Sequence, residues 1–286
     1  MPLRILIAGA TGRFGRICAL LLEQGHQVRA LTRDPGSTAA RELAARGAEV
    51  VIGDLDDPVS LRAALTGVDG AFASGTMHRA GLDGELRHGR TIADAARDTD
   101  VPHLVYVSGA GAVLGTGVPL LEVKAAVEQH LACSDVPATI LAPAYLMENL
   151  FNPWNLEALR AGKVRTFIPA AHRLQQVPIS DVLKLAILAL EHPDQFVGRR
   201  IEVASDQPTA REMAEVLTHV TGRPFTVDQD TPDEAGPGLA LLFHWLAQAS
   251  SPAIDIDQLR RDHSHVSWHT FEQWAEQQSL PGARTP

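Results

Sequence analysis

Three glycines, Gly9, Gly12 and Gly15, stand where the apolar run at residues 3–8 hands over to a helical pattern, and no other feature restricts the fold as much. In a strand–turn–helix unit the first glycine permits a tight turn and the second lets backbone approach a pyrophosphate. The third lets helix and strand pack closely, while the helix start offers N–H groups and partial positive charge to an anion. The segment Gly9-Ala10-Thr11-Gly12-Arg13-Phe14-Gly15 therefore reads as a dinucleotide-binding turn, with Thr11, Arg13 and Phe14 beside the three glycines as its contacts.

Short β-type runs at 3–8, 27–32, 49–52, 69–73, 103–107 and 138–142 alternate with helical patterns. Such alternation predicts βαβ units and a Rossmann-type doubly wound parallel sheet. Gly25, Gly47 and Gly67 each follow a helical stretch, where a left-handed residue ends the helix. Beyond Leu150 the regularity fades into a helix at 154–161, an extended piece at 164–168, a helix at 181–191 and a strand at 200–204. Thr209-Ala210-Arg211-Glu212 is a capping box opening a helix at 210–221, and residues 270–275 suit a closing helix. The expected organisation is α/β: a dinucleotide-binding domain at 1–150 and, packed against it, a smaller α+β substrate lobe at 151–286.

Charge and hydropathy exclude several classes. With 25 basic and 34 acidic residues the formal charge is −9, and no basic stripe is present to neutralise a phosphate backbone, so nucleic acid is not expected as a partner. Two cysteines, Cys18 and Cys133, both on helical patterns, fit a reduced setting, and a strand beginning within three residues leaves no signal peptide, so the expected location is cytoplasmic. The uncharged stretch 101–121 is broken by glycines and prolines. The uncharged stretch 235–254 has an apolar core, 239–249, about half the roughly 20 residues a membrane span requires; it reads as a buried helix. His263, His265 and His269 lack the cysteines and supporting pattern of a metal site, so no metal is expected.

The GxxGxxG spacing, residues 29–34 (Arg-Ala-Leu-Thr-Arg-Asp), Gly53-Asp54-Leu55, residues 105–108 (Val-Tyr-Val-Ser), Lys124 and residues 143–149 (Pro-Ala-Tyr-Leu-Met-Glu-Asn) together resemble the NmrA-like atypical short-chain dehydrogenase/reductases. The resemblance covers most of the chain, since residues 178–222 are similar to that family's second lobe. It implies a bound nicotinamide dinucleotide, with Pro143 among the cofactor contacts. It also implies one of two functions: an NADPH-dependent quinone or aromatic reductase, a branch of which acts in aromatic polyketide tailoring, or a redox sensor that binds NADP(H) without turnover. A homo-oligomer is compatible with the family.

In NAD-specific relatives an acidic side chain after the second strand meets the ribose 2′-hydroxyl, whereas an arginine accommodates a 2′-phosphate. Thr32-Arg33 occupies that region, and the guanidiniums of Arg33 and Arg13 suit a dianion, so NADP(H) is the expected cofactor; Asp34 is the competing acid. Asp54 and Leu55 are expected at the adenine, and Ala73, Ser74 and Gly75 beneath the cofactor through their backbone.

Typical short-chain dehydrogenases use Tyr-x-x-x-Lys, the lysine holding the nicotinamide ribose and activating the tyrosine as acid. Here Lys124 has Leu120 four residues before it, and neither Tyr106 nor Tyr145 has a lysine four residues on. A ketone reduced without an acid leaves an alkoxide whose conjugate acid lies near water's pKa, roughly 15.7. A quinone leaves a phenolate-like anion with a pKa of about 10, a difference worth about 8 kcal/mol. The missing tyrosine thus favours a quinonoid acceptor. Lys124, Tyr145 and Ser108 are the candidate catalytic groups, Lys124 also as a cofactor contact at the nicotinamide ribose, with His78 in a flexible-looking loop at 75–84 and Asn149 as weaker candidates. Phe151, Trp154, Phe243 and Trp245 are candidates for stacking on a flat substrate.

Overall fold

The computed structural model describes residues 1–248 and 253–281. The chain divides into two compact units, residues 1–142 with 183–201, and residues 143–182 with 202–286. Residues 183–201, which the sequence pattern assigns to the second lobe, thus belong with the first unit.

The first unit is built on β1 (Arg4–Ala8), α1 (Ile17–Glu23), β2 (Gln27–Thr32), α2 (Thr38–Ala45), β3 (Glu49–Ile52), α3 (Pro58–Leu65), β4 (Gly70–Ser74), α4 (Met77–Asp98), β5 (Leu104–Val107), α5 (Pro119–Ala132) and β6 (Ala138–Pro143). The six strand assignments made from pattern agree with these to within a residue or so at each end. The chain continues through β7 (Tyr145–Leu146), α6 (Pro153–Arg160), β8 (Lys163–Thr166), β9 (Gln176–Val177), α7 (Ile179–Glu191), α8 (Pro193–Phe196), β10 (Arg200–Val203), α9 (Ala210–Thr221), β11 (Thr226–Gln229), α10 (Pro237–Leu246), α11 (Ile256–Asp262) and α12 (Phe271–Glu276).

The seven-stranded sheet runs β10-β6-β5-β4-β1-β2-β3, and β1 pairs in parallel with both β2 and β4. The order reverses at β1, which makes the gap between the carboxyl ends of β1 and β4 the topological switch point where doubly wound sheets bind ligands. Ile5, Leu6 and Ile7 are fully buried, as a central parallel strand covered on both faces requires. Gly25, Gly47 and Gly67 adopt φ of 84°, 99° and 73°, ending their helical stretches as expected. The later part of α7 joins this unit because Leu190 lies over Gly70 of β4, where an added Cβ would be 3.1 Å from its Cδ2, and Glu191 accepts from His26 Nε2 at 3.1 Å.

Two expectations are corrected. Residues 77–84, part of the stretch 75–84 read as a flexible-looking loop, are helical: α4 begins at Met77 and kinks at Gly81, whose φ of 68° and ψ of −173° only glycine adopts without strain. The uncharged stretch around α10 is not a buried helix; Phe243 is its buried side chain and Leu241 is half exposed, while residues 249–252 lie outside the described set. Among the described residues no helix is long and apolar enough to cross a membrane.

The second unit has two small parallel pairs, β8 with β11 and β7 with β9, and a core in which Leu159, Leu217, Phe271 and Trp274 are buried. The capping box forms as read: Thr209 Oγ1 accepts from Glu212 N–H and Glu212 from Thr209 N–H. The four aromatic candidates do not form one cluster. Phe151 packs on Trp274 at 5.7 Å, Phe243 packs on Phe167 and Tyr145 at 4.9 and 6.3 Å, and Trp154 is partly exposed.

Candidate functional site

The glycine turn has the geometry its spacing demands. Gly9 takes φ of 87°, Gly12 N–H donates to Gly9 O at 2.8 Å, and Gly15 N–H donates to Gly12 O at 3.0 Å, so two tight turns follow β1 in succession. A Cβ on Gly15 would overlap the carbonyl oxygen of Ala10, and one on Gly12 would sit 3.1 Å from Gly9 O. The cradle therefore excludes side chains where a ligand needs bare backbone. Thr11 and Arg13 are half-buried, and Phe14 packs on Phe72 of β4, with ring centroids 6.3 Å apart. Ser74 Oγ lies on the other side of the turn, 3.9 Å from where a Gly9 Cβ would stand, which brings the ends of β1 and β4 together.

At the end of β2, Arg33 is exposed. Asp34 does not compete for it by turning back: its Oδ1 accepts from Gly36 N–H at 2.9 Å, and its carbonyl accepts from Ser37 Oγ at 2.9 Å. Ser37 in turn caps α2 through Ala40 N–H. After β3, Asp54 Oδ1 accepts from Asp56 N–H at 3.0 Å, and Leu55 packs against the sheet's core. Next to it, Asp56 is held low, at about 2, chiefly by Arg87 donating at 2.6 Å and then by His88.

Two buried carboxylates that sequence reasoning missed organise the far side of the switch point. Glu85 of α4, 1% exposed, accepts from Lys124 Nζ at 2.8 Å, from Met77 N–H at 2.7 Å and from Thr76 N–H. Glu128 of α5, 4% exposed, accepts from Ser108 Oγ and from Arg200 Nε at 2.7 Å, and Arg200 also donates to Gly109 O at 3.2 Å. Lys124 does sit at the carboxyl end of β5, its stem against Gly109, where an added Cβ would be 3.1 Å from Cδ. Ser108, 5% exposed, spends its hydroxyl proton on Glu128, so it is placed to anchor β5 to α5 and not to meet a carbonyl substrate. Tyr106 is sealed in the sheet at 1% exposed. Burial, with the charges of Glu85 and Glu128 adding to it, pushes its hydroxyl far above the usual range and removes it as a proton donor.

Ala73 is buried, Gly75 meets the Glu85 carboxylate, and Pro143 closes β6. Tyr145 and Asn149 belong to the second unit. There Tyr145 packs on Phe243, and the Asn149 carbonyl accepts from Asn155 Nδ2 at 2.8 Å. The His78 side chain lies outside the described residues. His269, read as part of a histidine group, gives its Nδ1 to the buried Asp181 at 2.6 Å, and among the described residues no cluster of three or more His, Cys, Asp or Glu could hold a metal ion. No local pattern marks Glu85 or Glu128, because their partners lie 39 and 72 residues away.

A family model described as the NmrA-like family matches residues 1–235. The chain belongs to that family. This NmrA-like protein is 28% identical over 242 residues to an NAD(P)H azoreductase of Xenophilus azovorans, covering 82% of each chain. It is 32% identical over 241 residues to a (4-alkanoyl-5-oxo-2,5-dihydrofuran-3-yl)methyl phosphate reductase of Streptomyces griseus, covering 82% of this chain and 80% of that one. Its fold matches Citrobacter sp. triphenylmethane reductase complexed with NADP(H) at a TM-score of 0.79, with 23% identity over 97% of this chain and 100% of the other.

Proposed function

We propose that this NmrA-like protein is an NADPH-dependent reductase whose acceptor is a quinonoid or polycyclic aromatic small molecule, of the kind handled in aromatic polyketide tailoring. Reduction is the activity that both relatives are named for, NAD(P)H-dependent in the azoreductase, and NADP(H) is the cofactor this chain's residues fit. The fit rests on the bare-backbone cradle at Gly12 and Gly15 and on Arg33 standing exposed while the Asp34 carboxylate is held in its own turn. When bound, NADPH supplies the hydride. Gly9, Thr11, Gly12, Arg13, Phe14 and Gly15 would hold its pyrophosphate, Arg33 its 2′-phosphate, Asp54 and Leu55 its adenine, and Ala73, Ser74, Gly75 and Pro143 its nicotinamide half.

The observation that carries the choice of acceptor is the missing acid. Leu120 occupies the tyrosine position of the dyad, and Tyr106, the first unit's tyrosine, is buried with its proton held too tightly to give up. Lys124 is then the group that can steady developing negative charge, which suffices for an acceptor whose reduced form is a stable anion. Tyr145 remains a proposed donor. Mixing protein and NADPH with a panel of quinones and simple ketones, and following the NADPH absorbance band, tests this. Turnover confined to quinones is expected; equal rates on ketones would refute the acceptor argument, and NADPH binding without oxidation of any acceptor would assign the sensing function.

A further inference from the structure

Glu85 collects two kinds of donor on one carboxylate. The N–H groups of Thr76 and Met77 open α4, whose N-cap residue Thr76 makes no side-chain cap of its own, and the Gly81 kink lets a residue two turns along reach back to them. Backbone N–H groups would be served as well by a neutral acceptor. The third donor, the Lys124 ammonium, is different: its side chain is 15% exposed, so it needs a counter-charge, and Glu85, with a side chain that is fully buried, supplies it.

The space for this pair is made by two glycines. A Cβ on Gly75, just past β4, would overlap the Glu85 carboxylate, and a Cβ on Gly109, just past β5, would press on the Lys124 stem. Stem and tip of Lys124 are thereby both held at the carboxyl edge of the sheet, where lysine left alone would sample many rotamers. An ammonium carries three protons; Glu85 Oε1 takes one, which leaves donors for a ligand.

We infer that Glu85 is the positioning residue for Lys124, fixing its ammonium beside the junction of β4 and α4 at residues 74–77 so that the backbone beneath the cofactor and the cation at the reacting end form one rigid piece. This rests on the reductase function proposed above, and Glu85 itself touches neither substrate nor cofactor.

The test is Glu85→Gln, which keeps an acceptor for Thr76 and Met77 but faces Lys124 with a neutral amide, alongside Glu85→Asp, which keeps the charge but draws it back from Lys124 by one methylene. With a quinone acceptor, each variant should lower kcat by roughly 10- to 100-fold while the NADPH dissociation constant stays within about threefold. Glu85→Gln combined with Lys124→Met should be no slower than Lys124→Met alone, because the two act as a unit. Should Glu85→Gln fail to fold, Glu85→Asp carries the same kinetic comparison. A role confined to capping α4 would instead leave kcat at saturation unchanged.

A readout independent of any acceptor is available because the chain has three lysines, Lys124, Lys163 and Lys184. In protein carrying 13C at the lysine Cε, the Lys124 signal should sit apart from the others, shift on adding NADPH, and collapse toward the free-lysine position in Glu85→Gln. An unchanged Lys124 signal in that variant, full kcat, or additive losses in the double variant would each overturn the inference. Absence of turnover in the wild type, with the lysine signals behaving as stated, would overturn the reductase function and leave the positioning role standing.

Discussion

His103, immediately before β5 and 1% exposed, should make the protein acid-sensitive in a narrow window. Its Nε2 lies 2.7 Å from Thr139 Oγ1, and that hydroxyl donates its one proton to Phe196 O at 2.7 Å. The hydroxyl must then accept from Nε2–H, which makes Nδ1 the bare nitrogen; it is buried and has no hydrogen-bond partner. Charging this ring would place an N–H without an acceptor inside the sheet edge, and burial accordingly depresses its pKa from 6.5 to about 4. The unfolded chain takes up a proton as pH falls through about 6.5, whereas the folded protein does not until about 4. Stability is therefore full above the unfolded pKa and is lost on descending to about 4, by about 3 kcal/mol at 1.36 kcal/mol per unit. Urea unfolding across that window measures the slope, and His103→Gln, whose amide can still donate to Thr139, removes the titration. If wild type and His103→Gln lose stability in parallel between about pH 6.5 and 4, the reasoning is wrong.

Arg200→Ala leaves Glu128 buried with Ser108 as a remaining donor, and should cost about 3 kcal/mol, the lower end for breaking a buried pair because Arg200 is itself 22% exposed; chemical denaturation reads it, and a loss under about 1 kcal/mol would show the pair to be solvated. Arg33→Asp should weaken NADPH binding at least roughly tenfold and narrow or reverse the preference over NADH, by replacing a charge-assisted donor with a like charge; calorimetric titration of both dinucleotides decides. Gly15→Ala drives a methyl into the backbone oxygen of Ala10, which cannot swing away as a side chain can, so stability should fall by about 1–3 kcal/mol with NADPH affinity falling too. Unchanged thermal stability and affinity in that variant would mean the turn is looser than its geometry.

What was legible in the sequence was local. The glycine turn, the alternation of strands and helices, the positive-φ glycines ending helices and the Thr209 capping box all depend on residues within a few positions of one another, because the backbone hydrogen bonds and φ/ψ limits that produce them act over one turn or one strand. The same rule explains the misreading of residues 77–84: Gly75, Gly81 and Gly84 within ten residues signal a loop, whereas the stretch is helical, its first N–H groups capped by the Glu85 carboxylate from across the Gly81 kink. Lys124 could be named from its place after β5, but not its partner. Glu85 and Lys124 are 39 residues apart, on different helices, and they meet because β4 and β5 are neighbours in the sheet and α4 packs on α5. Arg200 reaches Glu128 because residues 183–201 cluster with the first unit, which no periodicity announces. Chain order determined the elements and the cradle; the pairing of buried charges was decided by tertiary structure, since a charge can be buried only where the fold delivers its partner.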